Sequence, residues 1–140
     1  MEYITKNAEE TYRLGEEIGS SLKGGEVFAL SGDLGAGKTT FIQGVAKGLG
    51  IESRIVSPTF ILMRKYSGRL NFYHLDVYRL EEKINEQVRD LGITDIWEEK
   101  DNVVAIEWAE KIKGILPEKT RFVTFENIDE DKRRIIIDEK

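Results

Sequence analysis

Residues 32–40 read GDLGAGKTT. Within that run Gly32, four further residues and then Gly37-Lys38-Thr39 make a complete phosphate-binding loop. The glycines let the backbone turn tightly and aim successive N–H groups at phosphate oxygens. Lys38 supplies a compact positive charge for β- and γ-phosphates, and the Thr39 hydroxyl is an oxygen ligand suited to Mg²⁺. Val27, Phe28, Ala29 and Leu30 precede the loop as a short apolar run, the pattern of a buried parallel strand. Phe41, Ile42, Val45 and Ala46 follow at helical spacing and predict a helix over 39–48. A strand, this loop and a helix in that order place the phosphates at a helix N-terminus, whose partial positive charge favours them. A dinucleotide fingerprint fails here, because Gly35-Ala36-Gly37 is followed by Lys38-Thr39-Thr40 instead of a third glycine. The expected ligand is a nucleoside triphosphate.

The rest of the chain is consistent with one domain over residues 1–140. Hydrophobic residues make up 40% and charged residues 34%, the balance of a globular protein with a real core. No apolar run is long enough to cross a membrane, and the N-terminal residues lack a basic-then-apolar leader pattern, so a cytoplasmic location is expected. Without cysteine there is neither a disulfide framework nor a thiolate metal site. A net charge of −5 argues against autonomous nucleic-acid binding. Two basic clusters, Arg64/Lys65/Arg69 and Lys132/Arg133/Arg134, read as solvated surface.

Asn7 followed by Glu10 is a helix-capping pair, and Leu14, Ile18 and Leu22 give the ensuing helix one apolar face. Two strands over 60–66 and 70–75 flank Ser67-Gly68-Arg69 as a hairpin. Helices are expected over 81–89, 92–98 and 110–114, a buried strand over 103–106, and final strands over 121–125 and 134–138. Strands with intervening helices plus an antiparallel portion predict a three-layer α/β sandwich of the P-loop NTPase kind, with a mixed, mainly parallel sheet.

A phosphate loop needs a carboxylate near its metal, usually at the end of an apolar strand. Asp76 follows Phe72-Tyr73-His74-Leu75, and Glu107 follows Val103-Val104-Ala105-Ile106. Either position suits the role. On spacing alone Ser57-Pro58-Thr59-Phe60 is slightly better read as a strand-entry turn. The alternative is a γ-phosphate-sensing loop, in which Pro58 restrains Ser57 so that two hydroxyls, of Ser57 and Thr59, could be presented in defined directions. His74, the one histidine, reads as a hydrogen-bonded packing residue. Trp97 and Trp108 read as core or interface residues, with Trp108 placed beside Glu107.

Four segments in register, GDLGAGKTT at 32–40, SPTF at 57–60, HLDVYRL at 74–80 and IEWAE at 106–110, resemble the TsaE (YjeE) family over nearly the whole chain. The resemblance implies an ATPase of tRNA N6-threonylcarbamoyladenosine formation that supports turnover of a TsaB–TsaD complex, with ATP and Mg²⁺ as cofactors and tRNA met only through that complex. It further implies that Gly32, Gly35, Ala36, Gly37, Lys38, Thr39 and Thr40 hold phosphates, and that Ser57 and Thr59 form a switch-like segment. Thr39 and Glu107 would bind Mg²⁺, Asp76 would orient water or join the metal shell, and Arg133, just before the last strand, would approach the nucleotide. A small-molecule kinase is the first alternative, although no arginine-bearing lid segment is evident. A nucleotide-controlled binding module with little turnover is the second. A GTPase is disfavoured, since no Asn-Lys-x-Asp segment occurs.

Overall fold

The structure, a computed structural model, describes residues 1–32, 37–55 and 62–138. Its strands are β1 Glu2–Thr5, β2 Val27–Gly32, β3 Met63–Ser67, β4 Asn71–Asp76, β5 Asn102–Glu107, β6 Arg121–Asn127 and β7 Arg133–Asp138. Its α-helices are α1 Ala8–Ser21, α2 Lys38–Gly48, α3 Ile84–Asp90 and α4 Ile93–Glu98, with a 3₁₀ segment over Ala109–Ile115. Among the described residues the strands form one sheet, ordered β1-β7-β6-β2-β5-β4-β3. The central strands β6, β2, β5 and β4 run parallel, and β1, β7 and β3 add antiparallel edges. This is the expected mixed α/β class.

Side-chain alternation divides the sheet into two faces. Phe28, Leu30, Phe72, Val103, Ala105 and Phe125 point to the face covered by α1 and α2. Val27, Ala29, Leu75, Val104 and Ile106 point to the other face, under α3, α4 and the 3₁₀ segment. Phe41 of α2 meets Phe125 edge-on, ring centroids 5.4 Å apart, and both are buried. Burial of each such ring contributes about 2–3 kcal/mol, which seats the helix that carries Lys38.

Helix α1 begins as its capping pair predicts: the Glu10 amide donates to Asn7 Oδ1 at 2.9 Å. Glu10 reaches back to the Lys6 amide, one residue earlier than the ideal capping box. The close approach of α1 to α2 is absent from the sequence reading. Gly15 and Gly19 of α1 face Gly44 and Gly48 of α2, and a Cβ on Gly44 would stand 2.1 Å from the Tyr12 carbonyl oxygen. Backbone thus packs on backbone. The spacing of four residues on both helices is the small-residue pattern that permits such an approach.

Several boundaries differ from expectation. The helix expected over 81–89 starts only at Ile84, because Lys83 adopts a left-handed conformation (φ 48) that interrupts it. The one expected over 110–114 is 3₁₀, broken at Ile112. Edge strand β1 was not anticipated; its four residues owe their form to pairing with β7. Arg133 lies within β7, as its first residue, not before it. The hairpin at Ser67-Gly68-Arg69 is present, but β3 begins at Met63, and residues 60 and 61 lie outside the described residues. Two of the basic residues make specific contacts while remaining at the surface. Arg69 donates to the Leu22 and Gly19 carbonyl oxygens at the end of α1, which has no basic residue in its own last turn. Arg134 ion-pairs with Glu2 and Glu126.

Candidate functional site

Strands β2, β4 and β5 end on one edge of the sheet, where ligands gather in parallel α/β folds. Gly32 ends β2, Asp76 ends β4 and Glu107 ends β5. Helix α2 starts at the same edge. Its N-cap, Gly37, has φ 95, a conformation open to glycine, and makes no side-chain cap. No acidic residue occupies its first turn, which favours an anion at its N–H groups.

A cleft of about 450 Å³ opens here, lined by Lys38, Thr39, Thr40, Asp76, Glu107 and Arg133 among others. Its far wall is Ala8 and Thr11 of α1, with Glu130 and Asp131 of the β6–β7 turn. Gly37 sits between Thr11 and Arg133; a Cβ there would meet Thr11 Cγ2 at 3.4 Å and Arg133 Cγ at 3.9 Å. The Arg133 guanidinium donates to the Asp129 and Lys132 carbonyl oxygens. Asp129 in turn accepts the Asp131 and Lys132 amides, which closes the turn that carries Asp131.

Lys38 is only 6% exposed. Its ammonium donates to the Gly32 carbonyl oxygen at 3.1 Å and lies 4.3 Å from the centre of the Trp108 ring. A buried ammonium resting on an aromatic face and one carbonyl is poised to exchange them for a stronger anion. Trp108 is brought there by its backbone, which turns left-handed (φ 62) as β5 ends, at a cost of about 1–2 kcal/mol. The Tyr78 ring stacks against Trp108 at 4.7 Å, and Lys111 braces Tyr78 by donating to its carbonyl oxygen.

Two carboxylates share this edge. Asp76 and Glu107 are register partners on neighbouring parallel strands. Burial holds the Asp76 carboxyl above its ordinary pKa. The Tyr78 amide, donating to Oδ1 at 2.9 Å, opposes that shift, whereas the Glu107 charge adds to it; His74 and Lys38 exert smaller pulls downward. His74 is fully buried and its Nε2 lies 2.7 Å from Glu107 Oε2.

The structure therefore brings Gly32, Gly37, Lys38, Thr39, Thr40, Asp76, Glu107 and Arg133 to one place. Gly35, Ala36, Ser57 and Thr59 lie outside the described residues. Sequence reasoning missed the contact of His74 with Glu107, and the Thr11, Tyr78, Glu130 and Asp131 contributions to the cleft. Only the HLD spacing hinted at the first, since it puts His74 and Asp76 on one face of a strand.

Residues 5–135 match the family model for threonylcarbamoyl adenosine biosynthesis protein TsaE. The tRNA threonylcarbamoyladenosine biosynthesis protein TsaE of Treponema pallidum is 39% identical over 137 residues, which span 98% of this chain and 99% of that relative. The protein of the same name from Bacillus subtilis is 38% identical over 136 residues, 96% of this chain and 83% of the relative. The crystal structure of Bacillus subtilis YdiB superposes with a TM-score of 0.81 at 36% identity, covering 98% of this chain and 83% of that one.

Proposed function

This chain belongs to the TsaE family, and from that premise we propose that it is a Mg²⁺-dependent ATPase serving tRNA threonylcarbamoyladenosine formation. In this reading residues 1–140 act as one ATPase domain in the cytoplasm. It supports turnover of a TsaB–TsaD pair and meets tRNA only through that pair. The carrying observation is the convergence, in one cleft, of an uncapped helix N-terminus, the Lys38 ammonium, the Thr39 side chain and two strand-end carboxylates. No helix among the described residues is long and apolar enough to cross a membrane.

The donor set fits Mg²⁺. Thr39, Asp76 and Glu107 offer hard oxygens, and the mutual repulsion of the two acids is of the sign that a divalent cation relieves. No group of three His, Cys, Asp or Glu forms a metal cage among the described residues. That suits a cation held by one or two protein oxygens together with nucleotide phosphates and water. Thr39 and Glu107 would hold it, and when bound it neutralises charge on the phosphates.

Phosphoryl transfer to water needs positioning and charge stabilisation more than covalent chemistry from the protein. The first-turn N–H groups of α2 receive phosphate oxygens. Lys38 gives up the Gly32 carbonyl and the Trp108 face to bind the β- and γ-phosphates. Asp76, whose raised pKa brings it nearer to a working proton acceptor, orients the attacking water. Arg133 and Thr40 border the nucleotide, and Gly35, Ala36, Ser57 and Thr59 keep the roles implied by the family resemblance. ATP turnover measured with Mg²⁺, by the chain alone and with a TsaB–TsaD pair, tests the proposal. Slow hydrolysis accelerated by the pair supports it. Turnover that ignores the pair but rises with a small-molecule acceptor would replace it with a kinase.

A further inference from the structure

Glu107 is fastened by a residue that the proposed chemistry does not otherwise use. His74 lies wholly inside the protein on β4, on the sheet face that carries Asp76. With Glu107 as the carboxylate, its oxygen accepts, so at 2.7 Å Nε2 carries the shared hydrogen and donates it to Glu107 Oε2. The opposite ring nitrogen, Nδ1, is buried without a hydrogen-bond partner among the described residues. The contact with Glu107 is thus the hydrogen bond to which this ring is committed.

That is a costly way to fill a core. Burying an imidazole forfeits hydration of two nitrogens, and one of them has no partner among the described residues. An apolar side chain of similar volume would pack the same position without that loss. What the histidine adds is directional. A glutamate side chain has three rotatable bonds, and a hydrogen bond to one carboxylate oxygen restricts all of them at once. Glu107 is itself buried at 6% exposure, yet it borders the cleft. With Oε2 tied inward to His74, the other oxygen is the one left for the cleft.

We propose that His74 is a positioning residue that holds the Glu107 carboxylate in a cation-binding orientation before any ligand arrives. This deepens the functional reading and rests on it, since it takes Glu107 as part of the Mg²⁺ shell. Outer hydrogen bonds of this kind tune metal affinity by about ten- to hundredfold.

The test uses the full chain with Mn²⁺ as the probe, its binding followed by electron paramagnetic resonance in the presence of ADP. Nucleotide affinity is measured separately in EDTA, and thermal midpoints are recorded for every variant. His74→Leu is expected to weaken Mn²⁺ binding about ten- to hundredfold, with affinity for ADP in EDTA little changed. His74→Gln, whose amide nitrogen reaches as far as Nε2, is expected to recover most of the loss. His74→Asn, equally polar but shorter, is not. In a Glu107→Gln background His74→Leu should weaken Mn²⁺ binding no further. If His74→Leu fails to fold, the Gln and Asn variants make the same comparison, and equal behaviour of those two overturns the proposal. So does a loss that strikes ADP and Mn²⁺ binding alike, which would mark a purely structural role. Unchanged Mn²⁺ binding in His74→Leu, with a clear loss in Glu107→Gln, removes His74 alone. Unchanged binding in Glu107→Gln removes Glu107 from the metal shell, and the proposal falls with it.

Discussion

Asp76 and Glu107 stand directly opposite each other at the ends of two parallel strands, although 31 positions separate them in the chain. Burial raises the Asp76 pKa, and the Glu107 charge beside it adds to the shift. The folded-state pKa of Asp76 lies above its unfolded value. Rising pH therefore erodes stability between those two values, and the loss persists above them.

Asp76→Asn should accordingly be more heat-stable than the parent at neutral pH while losing ATP turnover. The stability gain should shrink towards zero near about pH 3, below the ordinary aspartate pKa, where the parent residue is protonated in both states. Melting curves at several pH values check the sign. A variant less stable than the parent at pH 7 would show that Asp76 is not a strained charge.

Lys38→Ala removes the ammonium proposed to bind the phosphates. Charge-assisted hydrogen bonds are worth about 1.5–3 kcal/mol each, so ATP affinity should fall about tenfold to more than a hundredfold. Calorimetric titration gives the number. Binding within a factor of two of the parent would mean that the nucleotide sits elsewhere.

Trp108 should report the arrival of a nucleotide. Its ring carries Lys38 at 4.3 Å, and transfer of that cation to phosphate changes the electrostatic environment of the indole. Trp97, buried in the core cluster against which Trp108 packs, is removed by Trp97→Phe to isolate the signal. ATP should then shift the remaining fluorescence, and Lys38→Met should abolish most of that shift. A response that survives Lys38→Met would detach the signal from the cation.

Gly44→Ala should be among the most damaging conservative changes in the molecule. Its Cβ would stand 2.1 Å from the Tyr12 carbonyl oxygen, and backbone on both sides leaves nothing flexible to move aside. Overpacking of this kind costs about 1–3 kcal/mol or more, a fall in melting temperature on the order of 5–10 °C. Because α1 supplies Ala8 and Thr11 to the cleft, nucleotide affinity should drop as well. Parental stability in this variant would refute the tight crossing of α1 and α2.

What the chain states locally could be read without coordinates. The helix over Lys38–Gly48 and the Asn7–Glu10 cap each depend on residues within a turn or two of one another, so spacing alone reveals them. Asp76 and Glu107 were legible as strand-end acids for the same reason. Only the tertiary structure decided what those acids face. Whether His74 touches Glu107 depends on the register of β4 against β5, and a slip of one residue would send one of the side chains to the opposite face of the sheet. Edge strand β1 exists through its pairing with β7 across the whole length of the chain, and the left-handed turn of Trp108 is sustained by the Tyr78 and Lys38 contacts around it. The amino-acid sequence determined which chemistry is available, through hydrogen bonds and periodicities that close over short distances. Folding determined which groups share a cleft, because register and helix crossing arise from packing between segments that no local pattern encodes.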